Sequence, residues 1–140
     1  KEEATRMRKA VNPEPLFDSV QYGFSHAIKS EGTTMLHMAG QVAWDAECNL
    51  IGEGDLAAQA RQALSNLKAV LADQGATVAD VVRIRTYVVD YSADKLDVIG
   101  EALAEFYGDV TPAANTLLGV QSLALPEFLI EIEATAVLKS

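Results

Sequence analysis

Two carboxylates stand two residues apart near the end of the chain, Glu131 and Glu133 in the run FLIEIEATAV. The run is otherwise apolar and strand-forming. A strand alternates its side chains between faces, so Glu131, Glu133 and Thr135 share one face while Ile130, Ile132, Ala134 and Ala136 share the other. A carboxylate on a sheet face must be solvated or partnered, because burying it alone is costly. Two roles are therefore open. Both glutamates can lie on a solvent-facing side of a sheet. Alternatively, if subunits meet beside that face, one carboxylate enters a cleft and there positions or activates a water.

Other chemistries find less support. Gly52 and Gly54 give only GEG, without the GxxxxGK run of a phosphate-binding loop, and no GxSxG serine setting occurs. The single cysteine, Cys48, excludes an internal disulfide and a multi-cysteine metal site; in a polar loop beside Glu47 it is not an expected nucleophile. His26 and His37 lack a nearby cysteine pair, so no metal is expected, and partly exposed sheet residues are the simpler reading of both. Trp44 is open to two readings, loop packing or the lid of a pocket.

These residues need elements to hold them. Val20 to Ile28 and Thr33 to Ala39 are β-like in composition, and Lys29-Ser-Glu-Gly32 between them supplies turn residues, which predicts a hairpin bringing His26 and His37 onto adjacent strands. A loop, GQVAWDAECNLIGEGD, follows. Asp55 caps a predicted helix whose apolar stripe is Leu56, Ala60, Ala63, Leu64, Leu67, Val70 and Leu71, with Gly75 just past its end. Val81 to Val89 is a predicted strand with Arg83, Arg85 and Tyr87 on one face and Val82, Ile84, Thr86 and Val88 on the buried one. Ser92 caps a second predicted helix, striped by Leu96, Ile99, Leu103 and Phe106 and closed by Gly108. Asn115 to Gln121 and Phe128 to Leu138 are two further strands. The order ββαβαββ predicts an α+β fold with two helices on one face of the sheet. The bare face is expected to carry enough apolar residues to need cover, and self-association is the simplest cover.

Composition sets the outer bounds. With 140 residues, 49% of them hydrophobic, residues 1–140 suit a single domain, and 1–15, containing VNPEP, read as a lead-in segment. A net charge of -9 argues against a nucleic-acid partner, and Lys1, Arg6, Arg8 and Lys9 read as a solvated tail. No apolar run approaches the roughly 18 residues of a membrane span, and the first residues lack a signal-peptide core, so a soluble, cytoplasmic protein without a membrane partner is expected.

Five stretches, taken in order, carry a family resemblance: GQVAWD at 40–45, QARQALSNLKAVLADQGA at 59–76, VVRIRTYVVD at 81–90, then PAANTLLGV and IEIEATAV. Together they resemble the RidA/YjgF reactive intermediate deaminase family over roughly residues 18 to 138. The resemblance implies a chorismate-mutase-like ββαβαββ subunit, assembly as a homotrimer in a barrel-like arrangement, and small-molecule clefts between subunits. It also implies hydrolysis of enamines and imines, such as 2-aminoacrylate, to keto compounds and ammonia without a metal or organic cofactor. In such proteins an arginine clamps the substrate carboxylate and a glutamate holds the attacking water. Glu131 stands at that glutamate's position.

The arginine's position holds Asn115. Phe24 replaces a tyrosine, Ala39 the serine of an SGQ run, and Gly100 a frequent Asn of the second helix. An Asn amide donates hydrogen bonds but carries no charge and lacks the guanidinium fork. For an anionic imino acid this removes on the order of 2 to 5 kcal/mol of affinity where the pair is desolvated. Arg83 or Arg85 can supply a replacement cation or be ordinary surface charges. The resemblance thus outlines a cleft of Glu131, Asn115, Leu117, Phe24, Ala39 and Gly100, with Trp44 as a further candidate. Two functions remain: an enamine/imine deaminase, that is, a hydrolase of C–N bonds, or a non-catalytic ligand-binding or regulatory trimer. An endoribonuclease is disfavoured by the negative charge.

Overall fold

The computed structural model describes residues 7–138. Eight elements follow in order: β1 (Arg8–Val11), β2 (Ala27–Ser30), β3 (Thr34–Gln41), α1 (Leu56–Asp73), β4 (Val81–Val89), α2 (Leu96–Tyr107), β5 (Ala114–Val120) and β6 (Ile130–Leu138). The main sheet runs β3-β6-β4-β5, and β1 and β2 form a separate antiparallel pair. β3 and β4 lie antiparallel to β6, whereas β5 is parallel to β4. A parallel neighbour needs a crossover, and α2 supplies it. Leu64, Leu67 and Leu71 of α1 and Ile99, Leu103 and Phe106 of α2 share one core with Ile84, Val88, Ile130 and Ile132 of the sheet. The fold is therefore α+β, with two helices packed on one face of a mixed sheet.

Local chemistry explains the helix ends. Asp55 accepts a hydrogen bond from the Ala58 amide at 3.1 Å, the expected N-cap. At the other end the Ala76 amide donates to Leu71 O at 2.8 Å and the Gly75 amide to Ala72 O at 3.1 Å, with Gly75 at φ 69°. That is a Schellman closure, which favours glycine at the left-handed position. α2 begins one turn later than its cap residue suggests. The Ser92 hydroxyl bonds the Asp94 carboxylate instead of a backbone amide, and a 3-10 turn, Ala93–Lys95, precedes the helix.

Several expectations are corrected. The hairpin does not form. Ser25 bridges to Ala114 and its hydroxyl donates to Pro112 O at 2.6 Å, which ties the start of β2 to the β5 edge, while β3 pairs with β6 at the opposite edge. β2 instead zips onto β1, from Arg8↔Ser30 to Val11↔Ala27, so part of the supposed lead-in is ordered. Val20–Tyr22 is a 3-10 turn. Arg8 is not a solvated tail residue: its guanidinium donates to Val81 O at 2.9 Å and Thr111 O at 3.0 Å. Lys1 and Arg6 lie outside the described residues. A register shift between Val81 and Arg83 buries Val81 completely and leaves Val82 half-buried. The outward sheet face is largely polar, presenting Arg83, Arg85, Tyr87, Glu131, Glu133 and Thr135, with Met35 and Leu118 as its exposed large apolar side chains.

One irregularity bears on the site. Between the pairs Met38↔Ala134 and Gln41↔Ile132, β3 has two residues, Ala39 and Gly40, where β6 has one, Glu133. Such a bulge re-aims the residues beside it.

Candidate functional site

Glu131, Glu133 and Thr135 are half-buried and alternate with the buried Ile130, Ile132, Ala134 and Ala136, as strand alternation requires. The two carboxylates differ in their surroundings. Glu133 lies across from Arg85 and accepts a 2.5 Å hydrogen bond from the Tyr87 hydroxyl. That bond is the first cause of a raised Tyr87 phenol; burial adds to it, and Arg85 pulls the other way. Glu131 lies across from Tyr87 and makes no hydrogen bond or ion pair among the described residues. Its carboxylate occupies the space above Gly40: a Cβ built on Gly40 would stand 2.1 Å from Glu131 Oε2 and 2.8 Å from its Cδ. The bulge turns Gly40 toward the glutamate, and Ala39 sits beside it.

A second group of expected residues gathers elsewhere. Between α2, β5 and the segment 17–24 lies a cleft of about 350 Å³ lined by Phe24, Gly100, Asn115 and Leu117, together with Phe17 and Tyr22. Asn115 pairs with Ile84, on the helix-covered side, and its Oδ1 accepts a 3.2 Å hydrogen bond from the buried Thr86 hydroxyl. Glu131 pairs with Tyr87, on the bare side. Within one chain, then, the expected site falls into two groups on opposite faces of the sheet. Phe24, Gly100, Asn115 and Leu117 form one, and Glu131 with Ala39 the other. Arg83 and Arg85 lie with the second group, lining a shallow depression with Glu133 and Thr135, so neither reaches the cleft of its own chain.

Trp44 is placed with neither group. Its ring meets Phe128 edge-on at 5.1 Å, and its carbonyl accepts a 3.0 Å hydrogen bond from Asn66 of α1, which packs the loop against the helix. His37 pairs with Thr135 on β6, whereas the His26 ring contacts Phe17 and Phe24 and its Nε2 lies 2.9 Å from Phe17 O. The histidines are thus not on paired strands. Among the described residues no three His, Cys, Asp or Glu side chains converge as a metal site, and no helix is long and apolar enough to cross a membrane.

Sequence reasoning missed Gly40, Phe17 and Tyr22. Gly40 carried no signal of its own, because its role comes from the bulge. The aromatic residues did carry one, since FDSVQYGFSH places four rings within residues 17–26, and in the structure Phe17 touches Tyr22, Phe24 and His26 edge-on.

Comparison with known proteins places this geometry. Residues 18–138 match the family model described as Endoribonuclease L-PSP. The crystal structure of the Rid-family protein YyfB from Yersinia pestis, described as of unknown function, is 55% identical with a TM-score of 0.92, covering 94% of this chain and 98% of that one. A RutC family protein of Pyrococcus horikoshii is 36% identical over 114 residues, 81% of this chain and 85% of its own. A 2-iminobutanoate/2-iminopropanoate deaminase of Dermatophagoides farinae is 28% identical over 116 residues, 83% of this chain and 86% of its own. Matched along most of its length in both sequence and fold, the chain belongs to the Endoribonuclease L-PSP family, the RidA/YjgF proteins.

Proposed function

We propose that this chain is a Rid-type small-molecule enzyme that hydrolyses enamines or imines in clefts between its own copies, assembled as a homotrimer. One observation carries the reading. Glu131 is held over Gly40 with no partner among the described residues, on the face of the sheet opposite the cleft of Phe24, Gly100, Asn115 and Leu117. A half-buried carboxylate without a partner and a cleft without a carboxylate complete each other when one copy's bare face meets another copy's cleft. The similarity to an imine deaminase supports the reaction class.

In that arrangement Glu131 accepts a proton from a water as the water oxygen bonds to the imine carbon, the C=N electron pair moves to nitrogen, and Glu131 returns the proton to that nitrogen. The resulting carbinolamine loses ammonia as its hydroxyl becomes the carbonyl. In sum, one imine and one water give one carbonyl compound and one ammonia, and no oxidant or reductant is consumed. Enamines join the path by tautomerising to the imine.

The test generates imines in situ, 2-imino acids with an amino-acid oxidase and carboxylate-free imines with an amine oxidase, and follows their decay. Hydrolysis above the uncatalysed rate that is lost in Glu131→Gln is the expected result. No acceleration with any imine, or equal rates in the variant, overturns the catalytic reading. Sedimentation should give a trimer, and a folded monomer at micromolar concentration would overturn the shared-site geometry. The lack of any Lys or Arg among the cleft's lining residues favours a second reading, a ligand-binding trimer without turnover. Equal stabilisation of the wild type and Glu131→Gln by a bound metabolite, with no turnover, would identify it.

A further inference from the structure

The cleft between α2 and β5 is lined by Phe17, Phe24, Ile99, Leu103 and Leu117, and its volume of about 350 Å³ accommodates a ring with its substituents. No lining residue is a Lys, Arg or His. A carboxylate seated there would lose its hydration and gain no cation from the cleft's own chain, and Arg85 of the copy that faces the cleft already lies across from Glu133. The groove that continues past Tyr22, Leu96 and Gly100 carries Asp97 and Glu101, which adds a repulsive field for anions at the cleft's edge. Phe17 is 60% and Tyr22 53% exposed, so their rings offer faces for a planar group to stack on.

The polar contact is equally selective. Asn115 is the one amide among the lining residues, and the Thr86 hydroxyl already donates to its Oδ1 at 3.2 Å. Thr86 is completely buried, so this bond fixes the amide's orientation and leaves the Nδ2 hydrogens as the donors available to a ligand. A donor in an apolar cleft asks for an acceptor without a formal charge. An imine nitrogen, or the carbonyl oxygen that replaces it after hydrolysis, meets that demand.

We propose that this cleft selects carboxylate-free imines bearing an aromatic or branched aliphatic group, stacked on Phe17 and Tyr22 and hydrogen-bonded by Asn115. The selectivity rests on the imine-hydrolase reading for its chemistry but on the cleft alone for its ligand class. Benzamide and benzoate probe it directly, since they share the ring and differ in charge. Benzamide should bind at least tenfold more tightly than benzoate. Asn115→Arg should reverse that preference by tenfold or more. A Cβ built on Gly100 meets no atom within 4 Å, so Gly100→Leu should fill the cleft and abolish benzamide binding without lowering the Tm of the free protein.

Benzoate binding as tightly as benzamide, neither compound binding, or Gly100→Leu binding benzamide like the wild type would each overturn the proposal. The two readings fail separately. Glu131-dependent hydrolysis of 2-iminopropanoate with no benzamide binding removes the ligand class and leaves the reaction. Benzamide binding of the expected pattern with no imine hydrolysed removes the reaction and leaves the ligand class.

Discussion

The Glu131 carboxylate lies where a side chain on Gly40 would have to be, with Oε2 2.1 Å from the position of a Cβ. Glycine is required here by close approach, not by a left-handed backbone. Gly40→Ala should push Glu131 into another rotamer, at a cost of about 1 kcal/mol. Turnover or ligand affinity should fall at least tenfold, with a folded, correctly assembled protein. Adding Glu131→Ala to Gly40→Ala should return the stability and not the activity. Double-mutant analysis of urea midpoints checks the coupling, and additive stability effects would show that the two residues do not compete for one space.

The two glutamates should respond differently to neutralisation. Glu133 receives the Tyr87 hydroxyl and faces Arg85, whereas Glu131 has no partner among the described residues. Glu131→Gln should abolish imine hydrolysis, because an amide oxygen cannot take the water's proton. Glu133→Gln should keep a rate within about threefold of the wild type and lower the Tyr87 phenol, since the bond to the carboxylate is the first cause of its raised value. Ultraviolet titration of the tyrosines measures the second effect. Equal losses of rate in the two variants would contradict the division of labour.

What was readable from the chain follows the range of the interactions involved. α1 is legible because its stripe, its Asp55 cap and its Gly75 closure each rest on contacts between residues only a few positions apart. The start of α2 is displaced because the Ser92 hydroxyl chose Asp94, a competition between neighbours that residue type does not settle. Alternation sets Glu131 apart from Ile130 and Arg85 apart from Ile84, yet it says nothing of which strand is paired with which. The KSEG turn has hairpin composition, but β2 is drawn to the β5 edge by Ser25, which lies 87 residues from its partner Pro112 in sequence. For the same reason the division of the site is invisible in the chain. It depends on Asn115 pairing with Ile84 and Glu131 with Tyr87, which are long-range facts of register.

Gln59 is completely buried and joins two loops to α1. Its Nε2 donates to Gly52 O and Glu127 O, both at 3.1 Å, and its Oε1 accepts from the Leu129 amide at 2.9 Å. Gln59→Leu keeps much of the volume but leaves the Glu127 carbonyl and the Leu129 amide without partners, and Gly52 O with the Asp55 amide alone. The expected cost is about 2 to 4 kcal/mol, or a fall in Tm on the order of 10 °C, measured at matched protein concentration. A loss below about 0.5 kcal/mol would mean that these groups find other partners.

Tyr107 makes the alkaline limb of stability testable. It is buried beside Phe106, and no group forms a sound hydrogen bond with its hydroxyl among the described residues, although the Ala113 backbone lies near. Burial pushes the phenol up to about 12 from an ordinary value of 10.0, against weaker opposing pulls from the Ala113 backbone and the Arg8 charge. Below pH 10 both the folded and unfolded chains hold the proton, so the group adds no slope. Between about 10 and 12 the unfolded chain releases it and the folded chain does not. The folded state then binds more protons, and stability falls as pH rises, by a total on the order of 2 kcal/mol. Tyr87 is raised too and acts in the same direction, so its contribution persists when Tyr107 is removed. Tyr107→Phe should be neutral or slightly stabilising at about pH 7, because it deletes a buried hydroxyl without a sound hydrogen bond among the described residues. It should also flatten the decline of the urea midpoint between about pH 10 and 11.5 relative to the wild type. An unchanged alkaline slope in Tyr107→Phe would show that the phenol ionises as readily in the folded protein as in the unfolded chain.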